Sequence, residues 1–315
     1  MGKYILKRLL IAVPVLLGIT ILDYWLMSLA GNPLEMIQGA RVSQAALAQQ
    51  AQQLGLNDPV IVQYFRWLME ILRGNYGVSI SNHTAVAGLI SSHLGPTLLL
   101  MGVSLLVSML FTVPLGIYSA LHQYEKGDYT IVGLSFLGMS VPSFFLSLVL
   151  IYLFSVRLGW LPGSGMSTLG AAVSAGDVAR HMVLPVIVLS VSMTGNNLRY
   201  IRSAMLEILQ QDYLRTARAK GIGRFKVIYK HALRNALVPI ITVFGMEIPA
   251  LFGGSIIIEQ VFSWPGLGLL TMNAIVARDY PVIMAVSLVS AIVVLLGNLL
   301  TDILYVVADP SIQYQ

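Results

Sequence analysis

The chain has 315 residues, of which 57% are hydrophobic and only 10% are charged, and its mean hydropathy is +0.79. A soluble fold of this size is nearly excluded, because its surface would lack polar groups. The absence of cysteine excludes a disulfide framework, a thiolate metal site and a cysteine nucleophile, and five scattered histidines argue against a histidine metal centre. The net charge of +5 comes from basic residues beside apolar segments, which is typical of membrane orientation and argues against nucleic-acid binding.

Six apolar stretches are long enough to cross a bilayer, since a hydrocarbon core about 30 Å thick needs about 20 helical residues. The first follows Lys3, Lys7 and Arg8 and is too long for an ordinary secretory signal, so we expect an uncleaved anchor. The sequence therefore predicts an all-α integral membrane protein with six transmembrane helices in a single domain, residues 1–315. The six stretches lie near Leu9 to Leu29, Pro96 to Leu121, Tyr129 to Val156, Met182 to Tyr200, Ala236 to Ile258 and Pro281 to Val307.

The distribution of basic residues predicts the orientation. Thirteen of the 19 Lys and Arg residues lie in the N-terminal segment, the loop at Lys126 and the segment Arg199 to Arg234, and six lie on the other side. The positive-inside rule then predicts that both termini are cytoplasmic. Prolines 114, 142, 185 and 249 and the pair Gly253-Gly254 are expected to weaken the helices and to allow kinks.

Two outer segments follow from this orientation. Residues 31–95 form a long first loop, in which Ser43 to Leu54 and Val60 to Leu72 favour helix and Asn57-Asp58-Pro59 favours a turn. We expect it to form a small helical cap on the outer surface. Residues 259–281 are expected to form an outer hairpin.

One predicted cytoplasmic segment, residues 203–235, differs from every other loop in length and charge. Its part from Gln210 to Asn235 reads QQDYLRTARAKGIGRFKVIYKHALRN. Helical spacing predicts that the helix of the fourth span continues inward to Gly221, where glycine can turn the chain at positive φ. A second short helix is expected around Phe225 to His231. Such a basic amphipathic element suits either anionic lipid or a partner protein.

The order of residues in this segment resembles the permease subunits of ATP-binding cassette importers, in the dipeptide, oligopeptide and nickel branch. Asp212 to Gly221 and His231 to Ala236 reproduce the pattern of that branch, Asp-Tyr-x-Arg-Thr-Ala-Arg-Ala-Lys-Gly and His-x-Leu-Arg-Asn-Ala. The broader Glu-Ala-Ala signature of these permeases is matched only at Ala217, Gly221 and Leu233. The resemblance covers nearly the whole chain and includes Phe262 to Gly268 and Arg278 to Pro281.

The resemblance implies that the segment is a coupling helix that sits in a groove of a separate ATPase subunit. It also implies a homologous second permease, two ATPase subunits, an extracytoplasmic binding protein and a bacterial inner membrane. No G-x-x-x-x-G-K-[ST] sequence occurs, so ATP and magnesium are expected in the partners, and the chain itself is expected to be no enzyme and to hold no cofactor. The residues expected to contact the ATPase are Arg215, Thr216, Ala217, Gly221, Arg224, His231 and Leu233.

Polar residues within the spans are candidates for function, because they are costly in hydrocarbon. Glu247 lies near the middle of the fifth span and, with Asn196 and Asn197 of the fourth, is a candidate for the translocation path, where it would attract a positively charged group. The alternative is structural: a neutral buried acid, and amides that hydrogen-bond between helices. Asp23 and Asp302 lie near the ends of their spans and are expected to be structural.

In the outer hairpin, Trp264, Pro265 and Gly266 are candidates for docking the binding protein, although the tryptophan also suits an interfacial aromatic belt. The resemblance implies import of dipeptides, longer peptides, glutathione or nickel and other metal chelates, and we prefer peptides. The alternative from another class is an ion-coupled secondary transporter that uses the intramembrane acids Glu247, Asp302 and Asp23 as a relay.

Overall fold

The computed structural model describes residues 2–29 and 58–308, and in these ranges the regular structure is helical. Two short helices, Ser143–Leu150 and Arg224–Lys226, continue directly as π-helix over Ile151–Arg157 and Val227–Ala232. The helices are α1 (Gly2–Leu29), α2 (Val60–Leu72), α3 (Val86–Leu121), α4 (Lys126–Ser140), α5 (Ser143–Leu150), α6 (Ala175–Leu209), α7 (Asp212–Ala219), α8 (Arg224–Lys226), α9 (Leu233–Val261), α10 (Leu267–Val276) and α11 (Tyr280–Ala308).

The chain divides into two compact units. The first comprises Met1–Pro96 and Pro265–Leu295, and the second comprises Thr97–Trp264 and Leu296–Gln315. In the first unit α2 packs on α1, where the hydroxyls of Thr20 and Tyr64 lie 3.1 Å apart. A separate apolar cluster joins the start of α3 to α10 and α11. The assignment of all 315 residues to a single domain stays a prediction.

The second unit is built around α6, which packs against α4 and α9. Of the most apolar window of α6, 56% is buried, against 6% for α1 of the first unit, so α6 is mostly enclosed by protein and α1 is mostly exposed. One apolar cluster, around Leu184 and Phe262, lies toward the start of α6, and another, around Met205 and Phe244, lies toward its end.

Within residues 2–29 and 58–308, five helices are long and apolar enough to cross a membrane: α1, α3, α6, the run Arg224–Pro249 and α11. The predicted third span is not one continuous helix, because Lys126–Ser140 and Ser143–Arg157 meet at a bend of 98°. Val141 is extended (φ −81, ψ 120) and precedes Pro142, which has no N–H to donate and disfavours helical conformation in the residue before it. A break at this proline was expected, but not its size. The count is six spans if the bent pair forms one.

The predicted outer loop ends earlier than the sequence indicates. The predicted helix Val60–Leu72 is present with those bounds, whereas Ser43 to Leu54 lies outside the described residues. The next helix begins at Val86, ten residues before the predicted start of the second span at Pro96, because the apolar periodicity continues into the loop. The pair Gly253-Gly254 lies in α9, which also contains Pro249.

Close packing between α4 and α6 depends on a glycine. A Cβ atom on Gly195 would lie 2.7 Å from Cγ of Met139 and 2.8 Å from the backbone oxygen of Ser135, closer than real Cβ contacts allow. The two helices therefore touch at the level of Gly195, and a larger residue there would push them apart.

Candidate functional site

The predicted coupling segment contains its own short helix, α7. The prediction of one helix continuous from the fourth span is wrong: α6 ends at Leu209, Gln211 is extended (φ −67, ψ 141), and α7 begins at Asp212. Asp212 lies in the first turn of α7 and Arg218 in its last, so the side-chain charges complement the helix dipole at both ends. The break lets α7 take a direction different from that of α6.

Gly221 turns the chain after α7, as predicted. Its φ is +76°, a conformation that costs glycine little, and the N–H of Ile222 donates to the carbonyl of Ala217 at 3.2 Å. The expected separate second helix is instead the start of a longer run, since α8, the π-helix after it and α9 follow without interruption. The return path is thus directly connected to a span.

One face of α7 packs against other helices of the second unit, and the opposite face is exposed. Leu214 and Ala217 are buried against Val227, Ala232 and Met205. On the outside, Asn235 donates from Nδ2 to the hydroxyl of Tyr213 at 2.6 Å. Packing and this hydrogen bond fix α7 to the helices on either side of it.

The residues predicted to contact the ATPase are divided by this arrangement. Arg215, Thr216, Gly221 and Arg224 are exposed, His231 and Leu233 are partly buried, and Ala217 is buried. The small size of Ala217 therefore allows close packing within the segment itself.

Two further features of the segment were missed from the sequence. The rings of Phe225 and Tyr229 are 71% and 50% exposed and lie 4.4 Å apart between centroids. A cavity of about 440 Å³ lies beside the segment, with Arg218 and Arg224 at an otherwise mostly apolar lining. The occurrence of aromatic residues among basic ones could have indicated the exposed ring pair. The cavity could not be predicted, because it depends on the packing of helices that are distant in the sequence.

The candidate path residues Asn197 and Glu247 lie together. Asn197 of α6 is buried and donates from Nδ2 to Oε1 of Glu247 in α9 at 2.7 Å, whereas Asn196 is exposed. This is the interhelical hydrogen bond that the structural alternative predicted for an asparagine. Glu247 is partly exposed, so its bond to Asn197 and a role in the path are compatible.

The three candidates for docking lie just after α9. Trp264 is fully buried in the cluster with Leu184 and Phe262, its N–H donates to the carbonyl of Glu259 at 2.8 Å, and Gly266 is buried. Oγ1 of Thr97 donates to Oε1 of the fully buried Glu259 at 2.8 Å, a contact missed from the sequence. The docking role stays a prediction, and the neighbouring Ser263 is exposed with φ +50°.

A buried ion pair in the second unit was also missed. Arg202 of α6 binds both carboxylate oxygens of Asp128 in α4, from Nε at 2.9 Å and from Nη2 at 2.7 Å, and Ser119 of α3 donates to the same carboxylate. The Asp128 and Arg202 side chains are 3% and 20% exposed. Three helices are thus joined at one carboxylate, between residues that are 74 positions apart in the sequence.

In the first unit, Asp279 anchors the segment before α3. Its carboxylate accepts hydrogen bonds from the backbone N–H groups of Ile80 and Ser81, both at 3.1 Å, and from the hydroxyls of Ser79 and Ser81. Burial acts to raise the pKa of Asp279, but these hydrogen bonds outweigh it and hold the pKa below its usual range. Asp279 therefore stays ionised and closes the loop between the segment 79–81 and α11.

Comparison with known proteins decides the family. Residues 1–92 match the family described as binding-protein-dependent transport system membrane component, N-terminal, and residues 112–314 match the binding-protein-dependent transport system inner membrane component family. The chain belongs to this family of inner-membrane permeases.

Relatives that align with this chain over its full length support the same assignment. The chain is 46% identical to the oligopeptide transport system permease protein AppB of Bacillus subtilis and 38% identical to the glutathione transport system permease protein GsiC of Salmonella paratyphi A, with 100% of both chains covered in each case. An inward-facing structure of the MetNI methionine ABC transporter matches with a TM-score of 0.58 at 19% identity, over 70% of this chain and 96% of that chain. The similarity to the MetNI structure shows the fold alone.

The permease is therefore a multi-pass inner-membrane subunit of an ATP-binding cassette importer and not itself a catalyst. Its partners include an ATPase and a binding protein. This assignment replaces the ion-coupled secondary transporter that the intramembrane acids had left open. The predicted resemblance and the all-α membrane fold are confirmed.

Proposed function

We propose that the permease is one of two homologous membrane subunits of a peptide importer, with two ATPase subunits on its cytoplasmic side and both termini cytoplasmic. The names of its relatives support peptides as the substrate, since they include an oligopeptide, a putative peptide and a glutathione permease. None of these relatives is named for nickel, and peptides are therefore preferred to metal chelates.

The observation that carries the coupling role is the construction of the segment around α7. A helix of eight residues is fixed on one face by Leu214 and Ala217 and shows basic residues on the other. A rigid projection of this kind transmits a displacement to the helices on which it packs, whereas a flexible loop would not. Arg215 and Arg224 are placed to meet acidic groups of an ATPase.

Crosslinking tests the coupling role. The chain has no cysteine, so Thr216→Cys and Lys220→Cys each introduce a single thiol on the exposed side of this segment. In the assembled importer, with cysteine-free partner subunits, we expect both variants to form crosslinks to the ATPase. Ser263→Cys, in the predicted outer hairpin, is the matched control and should form none. Crosslinks from position 216 to lipid alone would refute the proposal.

Glu247 is proposed to line the path and to attract a positively charged group of the substrate. The partial exposure of Glu247 at mid-span and its hydrogen bond with Asn197 support this role. Uptake by Glu247→Gln should fall most for peptides with additional positive charge, whereas normal uptake of a whole cationic peptide series would contradict the path role. Asn197→Ala serves as a control that removes the interhelical bond and keeps the Glu247 carboxyl group without adding a charge.

Trp264, Pro265 and Gly266 are proposed to position the surface on which the binding protein docks. Because Trp264 is buried, we expect it to act by fixing the backbone beside the exposed Ser263. A bulky label on Ser263→Cys should lower the ATPase stimulation caused by the loaded binding protein. Unchanged stimulation would place docking elsewhere.

A further inference from the structure

The second half of α6 has an exposed face that is polar throughout. From residue 194 to its end, the exposed positions of this helix are Asn196, Arg199, Tyr200, Ser203 and Glu207. They recur at helical spacing and so lie on one side of the helix. The neighbouring helix α4 instead exposes Leu134 and Leu137, which are 62% and 64% exposed. The two surfaces therefore suit different surroundings, hydrocarbon for α4 and a polar medium for α6.

The position of Arg199 relative to α4 can be read from two fixed contacts. Gly195 lies against Ser135 and Met139, and Arg202 pairs with Asp128, so the two helices run in opposite directions. Arg199 lies between these levels. Its guanidinium carbon is 5.5 Å from the ring centroid of Phe136, which is close to the level of Gly195.

The guanidinium of Arg199 and the ring of Phe136 therefore lie between the level of the Asp128–Arg202 pair and that of Gly195. An arginine that faces lipid near the end of a span normally turns toward the water interface. A polar, hydrated space beside the exposed face of α6 would instead hydrate the guanidinium where it lies.

Arg199 also differs from Arg202, the next arginine of the same helix. Arg202 is committed to Asp128 by two hydrogen bonds. Arg199 lies against the face of the Phe136 ring. Among the described residues, no carboxylate lies within salt-bridge distance of its guanidinium. A cation over an aromatic face keeps its N–H donors available to an anion.

We propose that Asn196, Arg199 and Tyr200 form part of the wall of the translocation route, and that Arg199 binds anionic groups of the substrate, carboxylates in particular. The proposal rests on the proposed peptide import only for the identity of the substrate. With Glu247 attracting a positive group, the route would bind both ends of a zwitterion.

Thiol accessibility tests the route without knowledge of the substrate. Asn196→Cys and the lipid-facing control Leu134→Cys are each made as the single cysteine of the importer, with cysteine-free partner subunits. Both variants are treated with an anionic methanethiosulfonate, and the reaction requires a hydrated, ionised thiol. We expect position 196 to react at least about tenfold faster, because thiols in hydrocarbon stay protonated. Equal slow rates at the two positions, through cover by lipid or by the second permease, would overturn the proposal.

The charge of Arg199 is tested in the Asn196→Cys variant. The ratio of the rates with an anionic and a cationic methanethiosulfonate should fall about threefold or more in Arg199→Gln and should be retained in Arg199→Lys, since a nearby positive charge concentrates anions. An unchanged ratio would overturn the role of Arg199. If Arg199→Gln does not assemble, the ratio in Asn196→Cys alone should decrease as salt rises, and independence of salt would have the same meaning.

Uptake of trialanine separates this proposal from the proposed function. We expect Arg199→Gln to lower uptake at least about tenfold at wild-type assembly levels, and Arg199→Lys to retain most of it. If wild-type importer takes up trialanine and Arg199→Gln does so equally well, the binding role is wrong. If the wild type takes up no peptide, the proposed function fails, and the two thiol experiments still decide the route.

Discussion

At the scale of single residues, the ion pair between Asp128 and Arg202 is expected to stabilise the second unit. Removing one partner of a buried pair leaves the other charge uncompensated, which costs about 3–5 kcal/mol. We expect Arg202→Met to lower the free energy of unfolding of the purified permease by an amount of that order. Denaturant titration in detergent, followed by tryptophan fluorescence, would measure it.

The control is the pair between Arg66 and Asp58, which has the same 2.7 Å separation but side chains that are 53% and 40% exposed. Solvent screens such a pair, so Arg66→Met should cost at most about 1 kcal/mol. Equal losses for the two variants would show that Asp128 finds water or another partner when Arg202 is removed.

Asp279 supports a second residue-scale prediction, on pH. Because its pKa is lowered in the folded protein, its hydrogen bonds contribute stability above the unfolded pKa of about 3.9, and this contribution is lost as the pH falls through the folded pKa. The contact should therefore be unaffected between pH 7 and pH 5. Asp279→Asn should destabilise it at all these pH values by about 1–3 kcal/mol, since the buried donors lose an ionised acceptor.

Hydrogen exchange at the amides of Ile80 and Ser81 measures this effect. After correction for the intrinsic pH dependence of exchange, protection should be constant from pH 7 to pH 5 in the wild type and lower in Asp279→Asn. A loss of protection near neutral pH in the wild type would contradict the depressed pKa.

At the scale of helices, Gly195 sets the distance between α4 and α6. Gly195→Ala places a methyl group against the backbone of Ser135, which cannot move as a side chain can. We expect a loss of about 1–3 kcal/mol in the free energy of unfolding. Gly176, in the first turn of the same helix, has no atom near the position of an added Cβ, so Gly176→Ala should change stability by less than about 0.5 kcal/mol. A loss in Gly176→Ala as large as that in Gly195→Ala would contradict the packing explanation, because the change from glycine to alanine by itself favours the helix.

Helices are also where sequence reasoning succeeds and fails for identifiable reasons. Hydropathy predicts the long spans because each must be apolar over its length, and the turn at Gly221 is predictable because glycine tolerates positive φ. The break at Gln210 and Gln211 and the 98° bend at Pro142 are not fixed by local sequence, since they depend on what the following helices pack against.

The candidate site shows the same division. The basic face around Arg215 could be predicted from the order of residues, whereas the contact between Asn197 and Glu247 joins positions 50 residues apart. Hydropathy records Arg199 only as one more basic residue at the end of a span. Its significance comes from Phe136, to which it is joined only in the folded protein.

At the scale of the whole molecule, the bent pair α4 and α5 decides the topology. If Lys126–Ser140 and Ser143–Arg157 together cross the membrane once, there are six spans and the termini lie on one side; if they do not cross, five spans place the termini on opposite sides. The positive-inside rule favours the first arrangement. Fusions of alkaline phosphatase and of a fluorescent protein to the C-terminus should therefore give fluorescence and no phosphatase activity. The opposite result would contradict a cytoplasmic C-terminus and thus the predicted orientation.

The exposed surface of α1 has a consequence for how the protein is made. Only 6% of its most apolar window is buried, and its described contacts within the first unit include those of Thr20 with Tyr64 and of Asp23 with Ser287. A helix satisfies its own backbone hydrogen bonds in lipid. Helix α1 can therefore insert into the bilayer alone as soon as it has left the ribosome. Its neighbouring helices can pack against it within the membrane once they have been synthesised.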